Sequence, residues 1–534
     1  MENERQEYRN GMTGLDALLS GVDFETKAGD AARTRVRDIV YDSRKAGPQT
    51  LFVGLSPIGE DGADGSDFAA SAWDAGARAF LLTHLPDALK ERIAATDGTK
   101  SPATNTQDSG GKGSESSEPL FVALAKDTRR ALALASGNFF GHPSEELKLV
   151  AITGTKGKTT VTFMLKSIFE AAGKKTGVIG TNGIQYEGVL DVLPNTTPES
   201  YVINAALRGM ANAGVEYCFL EASSQGFYLH RTDGLRFDAA VFTNIAPDHI
   251  SKTEHPDFAH YLACKKRIFE QAPIAFVNRD SDFFGDIVKD APFRILTYGF
   301  ERADYIARDV ACGTEREALG VRFRCAAPAW EADFLLSMPG VFNVSNALAA
   351  ICVADYYGIP TERIAEGLAS AVSRGRMEVV RTPEPFTVLI DYAHNRMSME
   401  KLFEAVENCH PKRILCVFGL IGNRAKSRRF ECGEILGARA DYSILANNSP
   451  GTDDPLQILA DIATGVERGG GAGRYEIIPD RREAILKILS MAREGDLVLL
   501  AGKGDGPHEE ANGVVTPFSE RAIVEEYFAE DRFI

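Results

Sequence analysis

A lysine and two threonines follow a glycine-bearing turn in the sequence LKLVAITGTKGKTT, residues 147–160. Lys158 could neutralise the charge of a phosphate chain, and the hydroxyl of Thr159 could hold a Mg²⁺ ion. The backbone N–H groups of such a loop, with the positive end of a following helix, bind phosphate. We therefore predict a nucleotide-binding loop made of Gly154, Thr155, Lys156, Gly157, Lys158, Thr159 and Thr160.

The elements that position this loop are a strand and a helix. The apolar run 147–152 is typical of a buried parallel strand, and Val161, Met164, Leu165 and Ile168 then recur at helical spacing. One departure from the general phosphate-loop pattern is that Ile152 stands five positions before Gly157, where a glycine is usual, so the loop is a shortened G-x-x-G-K-T. The alternative is an ordinary turn between a strand and a helix.

Two further predicted strands end in side chains that could bind a metal ion. YCFLE ends at Glu221, and the segment AAVFTNIAPDH ends at His249. Ligands collect at the carboxyl ends of parallel strands, so we predict that both residues join Thr159 at a metal site. Taken singly, each residue could equally be a solvated or capping group.

Lys265 lies on the wrong face of its predicted helix for an ordinary lysine. Phe258, Tyr261, Leu262, Ile268 and Phe269 form the apolar stripe of this helix, and at 100° per residue Lys265 falls in the middle of it. One interpretation is that the side chain follows the apolar surface out to water. The other is that the lysine is held near phosphate or metal, with its charge modified.

The composition is that of a globular protein that does not bind nucleic acid or a membrane surface. A length of 534 residues is enough for about three domains, and the net charge is -16. The eight cysteines form no C-x-x-C pair, which is typical of reduced thiols in a cytosolic protein. No apolar run approaches the length of a membrane span, so we expect a cytoplasmic protein.

Alternating strand and helix patterns predict an α/β protein with three domains. These are a small N-terminal α/β domain (1–146), a central phosphate-loop domain with a mostly parallel sheet (147–373), and a C-terminal Rossmann-like domain (374–534). Residues 97–119 contain no large apolar residue, which indicates a disordered insertion in the first domain. In the third domain, the candidate functional loops follow the strands, at 391–396, 419–429, 447–455 and 502–510.

A series of motifs, in order and spacing, resembles the Mur ligases, and most closely the UDP-N-acetylmuramoyl-tripeptide synthetases among them. The resemblance covers nearly the whole chain. The motifs are DSR from Asp42, GTKGKTT from Gly154, NTTPE from Asn195, EASSQG from Glu221, FTNIAPDH ending at His249, ACKKRIF around Lys265, RGRMEVV from Arg374, DYAHN from Asp391 and AGKG from Ala501.

The resemblance implies an ATP- and Mg²⁺-dependent ligase of peptidoglycan precursor synthesis that adds the third amino acid to UDP-MurNAc-L-Ala-D-Glu through an acyl phosphate. It implies that Lys265 is carbamylated, and the carbamate would then be an anionic ligand that positions phosphate or joins Thr159, Glu221 and His249 at the predicted metal site. The remaining implied roles are these: Ser43 and Arg44 for the uridine-bearing end of the substrate; Asn195, Thr196, Thr197, Ser223 and Arg231 for its sugar-peptide part; His394 and Asn395 for ATP; Arg424, Asn448, Gly451 and Gly502 for the incoming amino acid.

The amino acid added is predicted from one departure. The DNPR element of diaminopimelate-adding relatives appears here as NSPG, so Gly451 stands where an arginine would bind the distal carboxylate. The acids Asp453, Asp454, Asp505, Glu509 and Glu510 suit a cationic tail, and we expect L-lysine rather than meso-diaminopimelate. The alternatives are that these acids form a solvated face, or that Arg428 or Arg429 supplies the missing guanidinium.

Two other functions compete with this one. A folylpolyglutamate-synthase type of ligase would share the phosphate loop and the lysine, but it should lack the N-terminal DSR domain. A non-catalytic nucleotide-binding protein would not need Lys265, Arg231 or a second α/β domain. We expect small-molecule substrates and a monomer, with no nucleic-acid or membrane partner.

Overall fold

The computed structural model describes residues 11–59, 62–97, 119–193, 195–248, 250–251, 254–289, 291, 293–315, 318–380, 382–506 and 508–530. The predicted insertion, 97–119, lies outside the described residues except at its two ends. Residues 1–158, 174–275 and 282–295 form one compact unit, and residues 159–173, 276–281 and 296–534 form a second. Within the described ranges, no helix has both the length and the apolar character needed to cross a bilayer.

The first unit begins with a five-stranded sheet in the order β2-β7-β6-β5-β4, in which only β2 is antiparallel to its neighbour. Phe80 lies on its central strand and stacks on Trp73 at 6.1 Å between ring centroids. The elements are β1 (Thr13–Gly14), α1 (Leu15–Leu18), β2 (Glu25–Ala28), β3 (Arg35–Val36), β4 (Asp38–Val40), β5 (Thr50–Val53), α2 (Ala69–Asp74), β6 (Ala79–Leu82), α3 (Asp87–Asp97), β7 (Phe121–Leu124) and α4 (Thr128–Phe140).

The strand that leads into the phosphate loop is central in its sheet. This strand, β8 (Lys148–Thr153), pairs in parallel with β12 (Tyr217–Glu221) on one side and with β13 (Ala239–Phe242) on the other. Its residues after Lys148 are fully buried, which explains the unbroken apolar run. The other elements here are α5 (Lys158–Ala171), β9 (Thr176–Gly180), β10 (Gly183–Tyr186), β11 (Val189–Asp191), α6 (Ser200–Asn212), α7 (Ser224–Tyr228), α8 (Phe258–Lys266), β14 (Ile274–Asn278), α9 (Phe284–Val288) and β15 (Arg294–Gly299).

The second unit contains an antiparallel group of strands and a mostly parallel six-stranded sheet in the order β19-β20-β24-β21-β22-β23. Its elements are β16 (Tyr305–Glu315), β17 (Ala318–Ala326), β18 (Glu331–Leu336), α10 (Val341–Tyr356), α11 (Thr361–Ser370), β19 (Glu378–Val380), β20 (Thr387–Asp391), α12 (Arg396–Glu407), β21 (Ile414–Phe418), α13 (Ser427–Arg439), β22 (Tyr442–Leu445), α14 (Pro455–Arg468), β23 (Tyr475–Ile477), α15 (Arg481–Met491), β24 (Leu497–Ala501), β25 (His508–Ala511), β26 (Val514–Pro517) and α16 (Glu520–Glu530).

The register of the six-stranded sheet places its predicted functional loops together. Ala501 pairs with both Asp391 and Phe418, and Phe418 also pairs with Leu445, so four parallel strands end at one edge. The predicted α/β class, with mostly parallel sheets and a Rossmann-like C-terminal part, is confirmed. The short β25–β26 ribbon after AGKG was not predicted.

Candidate active site

The phosphate loop has the backbone conformation that its glycines permit. Strand β8 ends at Thr153 and α5 begins at Lys158. Gly154 has φ +146° and Gly157 has φ +87°, values that other residues rarely adopt. A Cβ atom on Gly154 would also lie 1.9 Å from the Thr243 hydroxyl oxygen. The loop therefore needs glycine at both of these positions.

The segment after β13 holds the loop in place. The backbone N–H of Thr155 donates to the carbonyl oxygen of Asn244 at 2.9 Å, and that of Lys156 donates to the Asn244 side-chain oxygen at 2.9 Å. The Thr243 hydroxyl donates to the carbonyl oxygen of Lys156 at 2.6 Å. These bonds fix the loop before any ligand is bound.

Two lysines point at one backbone oxygen of this loop. Lys158 Nζ and Lys265 Nζ each donate to the carbonyl oxygen of Gly154 at 2.9 Å. Lys265, on α8, is only 2% exposed, so its amine does not reach water along the helix surface. Burial, and secondly the charge of Lys158, lower the pKa of Lys265 well below its usual range. The amine of Lys265 is therefore far easier to deprotonate than that of a surface lysine.

A cavity of about 210 Å³ opens beside the two lysines. It brings Lys158 and Lys265 together with residues from distant parts of the sequence. The predicted substrate residues among its lining are Asn195, Thr196, Thr197, Ser223 and Arg231. Ser224, Gln225, Glu254 and His255 also line it and had not been predicted.

Arg231 is held rigidly in the wall of this cavity. Its Nε donates to Glu199 Oε1 at 3.0 Å and its Nη1 donates to the carbonyl oxygen of Thr197 at 2.9 Å. The hydroxyl of Thr197 in turn accepts the N–H of Ser223 at 2.9 Å. Because these two hydrogen bonds already order the guanidinium, it can bind an anionic ligand without a further loss of side-chain entropy.

Glu221, the predicted metal ligand at the end of β12, is fully buried. Its carboxylate accepts the N–H of Thr181 at 3.0 Å and the Thr181 hydroxyl at 3.1 Å. The other predicted strand-end ligand, His249, lies outside the described residues. The metal site made of Thr159, Glu221, His249 and Lys265 therefore stays a prediction.

Ser43 and Arg44 do not line the cavity. They form a short 3₁₀ helix that Asp42 caps, and Arg44 makes two hydrogen bonds to the Asp42 carboxylate, at 2.9 and 2.8 Å. The hydrogen bonds from Arg44 lower the pKa of Asp42. Contact of Ser43 and Arg44 with the uridine-bearing substrate stays a prediction.

The predicted ATP and amino-acid residues of the second unit occupy loops at the edge of the six-stranded sheet. His394 Nδ1 lies 2.8 Å from the carbonyl oxygen of Tyr392, and Asn395 caps α12. Asn448 is buried, and its amide donates to the Gly502 carbonyl oxygen at 2.9 Å, so it joins two loops. Gly451 has φ +60°, and the side chain of Arg424 is exposed.

The acids near Gly451 already have partners. Asp453 accepts the N–H of Asn423 at 2.9 Å and a guanidinium N–H of Arg429 at 2.5 Å. Asp454 caps α14, and Glu509 lies 3.7 Å from the ammonium group of Lys503. These carboxylates stabilise the loops in which they lie, and Arg429, which also bonds Asp461, is not free to replace a missing arginine.

Comparison with known proteins gives a consistent result along the whole chain. Residues 152–354 match the family model of the Mur ligase middle domain, and residues 375–504 match that of the Mur ligase glutamate ligase domain. A UDP-N-acetylmuramoyl-L-alanyl-D-glutamate--2,6-diaminopimelate ligase of Caldanaerobacter subterraneus subsp. tengcongensis is 36% identical over 516 residues, which is 96% of this chain and 98% of that protein. The ligase of the same name from Clostridium perfringens is 32% identical over 520 residues, 96% of this chain and 98% of its own.

A solved structure of a UDP-N-acetylmuramoyl-L-alanyl-D-glutamate--2,6-diaminopimelate ligase has the same fold, with a TM-score of 0.65. It is 24% identical, and the match covers 98% of this chain and all of that one. The predicted three-domain α/β architecture is confirmed by this likeness.

The prediction of L-lysine over meso-diaminopimelate is wrong, because the full-length relatives are diaminopimelate ligases. The physical reason is that three of the five acids on which that prediction rested, Asp453, Asp454 and Glu509, are engaged by Arg429, Lys503 and backbone N–H groups. These three carboxylates are therefore not a preformed binding site for the cationic side chain of lysine.

Proposed function

The chain belongs to the Mur ligase family of ATP-dependent ligases, and on this premise we propose that it joins 2,6-diaminopimelate to UDP-N-acetylmuramoyl-L-alanyl-D-glutamate. The observation that carries the proposal is the full-length similarity to relatives of that name, at 36% and 32% identity. The cavity that gathers Lys158, Lys265 and Arg231 supports it, because the reaction brings a nucleotide and an anionic peptide to one place.

The phosphate loop fits the triphosphate of ATP. Gly154 and Gly157 keep the backbone free of Cβ atoms, so that N–H groups can approach phosphate oxygens closely. Lys158, the first residue of α5, would leave the Gly154 carbonyl oxygen and bind the terminal phosphates. Mg²⁺, bound with the triphosphate, would neutralise its remaining charge.

Carbamylation of Lys265 would remove an electrostatic conflict. Two ammonium groups that share the Gly154 carbonyl oxygen repel each other, and one of them is buried. The nitrogen of an uncharged Lys265 amine can attack the carbon of CO₂, and once one N–H proton has passed to solvent the product is a carbamate anion beside the Lys158 cation. The carbamate oxygens would then orient Lys158 and a metal ion, which the amine cannot do.

The peptide end of the substrate would occupy the opposite part of the cavity. The Arg231 guanidinium would bind a substrate carboxylate, while the side chains of Asn195, Thr196 and Ser223 offer hydrogen bonds to the sugar and the peptide. Glu199 orients Arg231 for this role, since its Oε1 lies 3.0 Å from Nε and 2.8 Å from Nη2.

The reaction follows from this placement. The D-glutamate side-chain carboxylate attacks the γ-phosphorus of ATP, which gives an acyl phosphate and ADP. The diaminopimelate amine then attacks the acyl carbon, phosphate leaves with the bonding electrons, and the amine proton passes to solvent. Lys158 and Arg231 lower the repulsion between the two anions, so catalysis consists mainly of positioning and charge stabilisation.

We also assign the domain boundaries, a role for each domain, and the oligomeric state and location of the protein. The boundaries 1–146, 147–373 and 374–534 are supported by the two family models, which match within the second and third ranges. We assign UDP-substrate binding to the first domain, ATP binding to the second and amino-acid binding to the third. A monomer that acts in the cytoplasm, with no nucleic-acid or membrane partner, agrees with small, charged substrates.

A measurement of phosphate release would test the proposal. The purified chain would be given ATP, Mg²⁺ and UDP-MurNAc-L-Ala-D-Glu, with meso-diaminopimelate, L-lysine or L-ornithine in separate reactions. We expect kcat/KM to be highest for meso-diaminopimelate. A value for L-lysine equal to or above it would overturn the choice of amino acid, and phosphate release with a folate and glutamate alone would support the folylpolyglutamate type of ligase.

A further inference from the structure

Three side chains of the kind that bind soft metal ions meet at α8, beside the cavity. His260 and Cys264 are four residues apart and so share one face of the helix, and His255 lies in the segment just before it. His255 Nδ1 is 2.9 Å from His260 Nδ1, and Cys264 Sγ is 3.8 Å from the same nitrogen. One ligand atom of each residue lies within 4.8 Å of the others.

The two shorter distances, 2.9 and 3.8 Å, are close to those around a bound metal ion. Tetrahedral zinc, with bonds of about 2.0 to 2.3 Å, holds its nitrogen and sulfur ligands roughly 3.3 to 3.6 Å apart. Two imidazole nitrogens at 2.9 Å share a single proton, and a cation can take the place of that proton. Small shifts of the three side chains would therefore be enough.

A second contact fixes the ring of His255. Its Nε2 lies 2.9 Å from the Ser224 hydroxyl, so Nε2–H can donate there and leave the lone pair of Nδ1 directed at His260. Metal-binding histidines are commonly oriented by such a bond from the other ring nitrogen. The ring of His255 is fully buried, and that of Tyr228 packs edge-on against His260 at 5.0 Å.

We propose that His255, His260 and Cys264 form a binding site for a soft divalent metal ion of the Zn²⁺ class, through both Nδ1 atoms and the Cys264 sulfur. Water would complete the coordination from the side of His260, which is only partly buried. Binding replaces the thiol proton of Cys264, which passes to solvent, so affinity falls as the pH falls. Mg²⁺ does not compete, because it prefers oxygen ligands.

The site is separate from the Mg²⁺ chemistry of the ligase but touches the same cavity. His255 lines the cavity, and Cys264 directly precedes Lys265. A metal ion would therefore tie the segment before α8 to the helix that carries Lys265. We expect it to stiffen this wall and to raise the melting temperature of the chain.

The test uses untagged, chelator-stripped full-length protein, with Co²⁺ as a spectroscopic probe and Zn²⁺ as competitor. In excess Mg²⁺, and without ATP or peptide substrate, we expect one equivalent of Co²⁺ to give a thiolate-to-cobalt charge-transfer band that Zn²⁺ abolishes. Cys264→Ser should lose the band, and Cys264→Ser and His260→Gln should each weaken Zn²⁺ binding at least tenfold. The matched controls, Cys312→Ser and His410→Asn, should bind as the unmodified chain does.

A third variant keeps the test decisive if a ligand variant fails to fold. Ser224→Ala retains all three ligands but removes the oxygen that orients His255, and it should weaken Zn²⁺ binding about tenfold. Absence of a charge-transfer band in the unmodified chain would overturn the proposal. Wild-type Zn²⁺ affinity in a folded Cys264→Ser protein would do the same, and neither outcome depends on the ligase reaction.

Discussion

The carbonyl oxygen of Gly154 accepts hydrogen bonds from both Lys158 and Lys265, and this shared acceptor links the two lysines on which the proposed mechanism depends. Phosphate would draw Lys158 away from it, and a carbamate would replace the charge of Lys265. The same few atoms can therefore serve a resting state and a substrate-bound state.

Replacing Lys158 by alanine should lower phosphate release at least a hundredfold, because one charged donor to a developing anion is worth about 10²- to 10³-fold in rate. The fold should persist, since the residue begins a helix whose apolar face is otherwise unchanged. Lys166→Ala, at a lysine further along the same helix that pairs with Glu170, is the matched control and should retain normal turnover. Near-normal activity of folded Lys158→Ala would contradict the phosphate-loop assignment.

Replacing Lys265 by alanine should nearly abolish turnover, and added short carboxylic acids should restore part of it by placing anionic oxygens in the vacated space. Lys266→Ala is the matched control, because the Lys266 amine bonds only outlying carbonyl oxygens, those of Asp286 and Lys289, in the described contacts. Unmodified protein equilibrated with ¹³C-bicarbonate should show a carbamate signal by NMR that Lys265→Ala lacks. A signal of equal strength in both proteins would rule out this lysine as the modified group.

At the scale of single residues, the sequence predicts where a side chain lies better than it predicts which groups that side chain contacts. Helical periodicity predicted the inward position of Lys265, and its burial agrees, although Ile268 and Phe269 of the predicted stripe lie in the 3₁₀ turn that follows α8. Asp453 and Asp454, in contrast, looked like a site for a cation, since nothing in their spacing shows that Arg429 and the α14 N-terminus already engage them. His255 was missed because it precedes the helix and has no periodic neighbour, although the spacing from His255 through His260 to Cys264 was a usable signal.

At the scale of elements, a charged cluster connects α4 with the turn that carries Arg231. The imidazole of His230 lies 3.0 Å from Asp127, the N-cap of α4, and 2.8 Å from Asp233. Hydrogen bonds to these two carboxylates raise the pKa of His230 to about 9, and the bond from His230 lowers the pKa of Asp127 to about 2. The protonated imidazole thus holds the N-terminus of α4 against the turn that carries Arg231.

The His230 cluster predicts a particular dependence of stability on pH. Because the folded pKa of His230 is raised above its ordinary 6.5, its contribution is complete below about pH 6.5 and is lost as the pH rises through about 9. His230→Gln should lower the free energy of unfolding by about 1 to 3 kcal/mol near pH 6, and the difference should shrink above about pH 9. Denaturant titrations of both proteins across this range would measure it.

A difference that is the same at all pH values would show that His230 acts only through packing. His142→Asn is a suitable control, because His142 is an exposed histidine with the same positive φ and no ion pair among the described contacts. The effect of His142→Asn on the free energy of unfolding gives the baseline for replacing a histidine at positive φ.

At the scale of elements the sequence was informative where apolar patterns are strong. The strand–loop–helix unit around the phosphate loop and the alternating elements of the C-terminal sheet follow their periodicity closely. The β25–β26 ribbon was missed because Glu509, Glu510, Val514 and Val515 face solvent in part or in full, so its sequence has no buried face to reveal it.

For the whole molecule, the eight cysteines contribute to the cores rather than to cross-links. All eight are free thiols, and six of them are buried. Burial raises the pKa of Cys325 and of Cys432 to about 12, so these thiols are poor nucleophiles in the folded state. The chain is therefore stabilised by its cores and hydrogen bonds rather than by covalent links.

The last prediction concerns residues 98–118, which lie between α3 and β7. These residues include no large apolar side chain, and a loop that is halved in length changes closure entropy by only about 0.6 kcal/mol. Replacing residues 98–118 with a short Gly-Ser linker should therefore change the free energy of unfolding by about 1 kcal/mol or less, in the stabilising direction. kcat/KM for the UDP-linked substrate should stay within about twofold, and a variant with residues 98–118 in scrambled order should match the unmodified chain. A large rise in KM after deletion, with normal stability, would show instead that this segment binds substrate. In that case, a normal KM in the scrambled variant would show that the binding depends on the composition of the segment and not on the order of its residues.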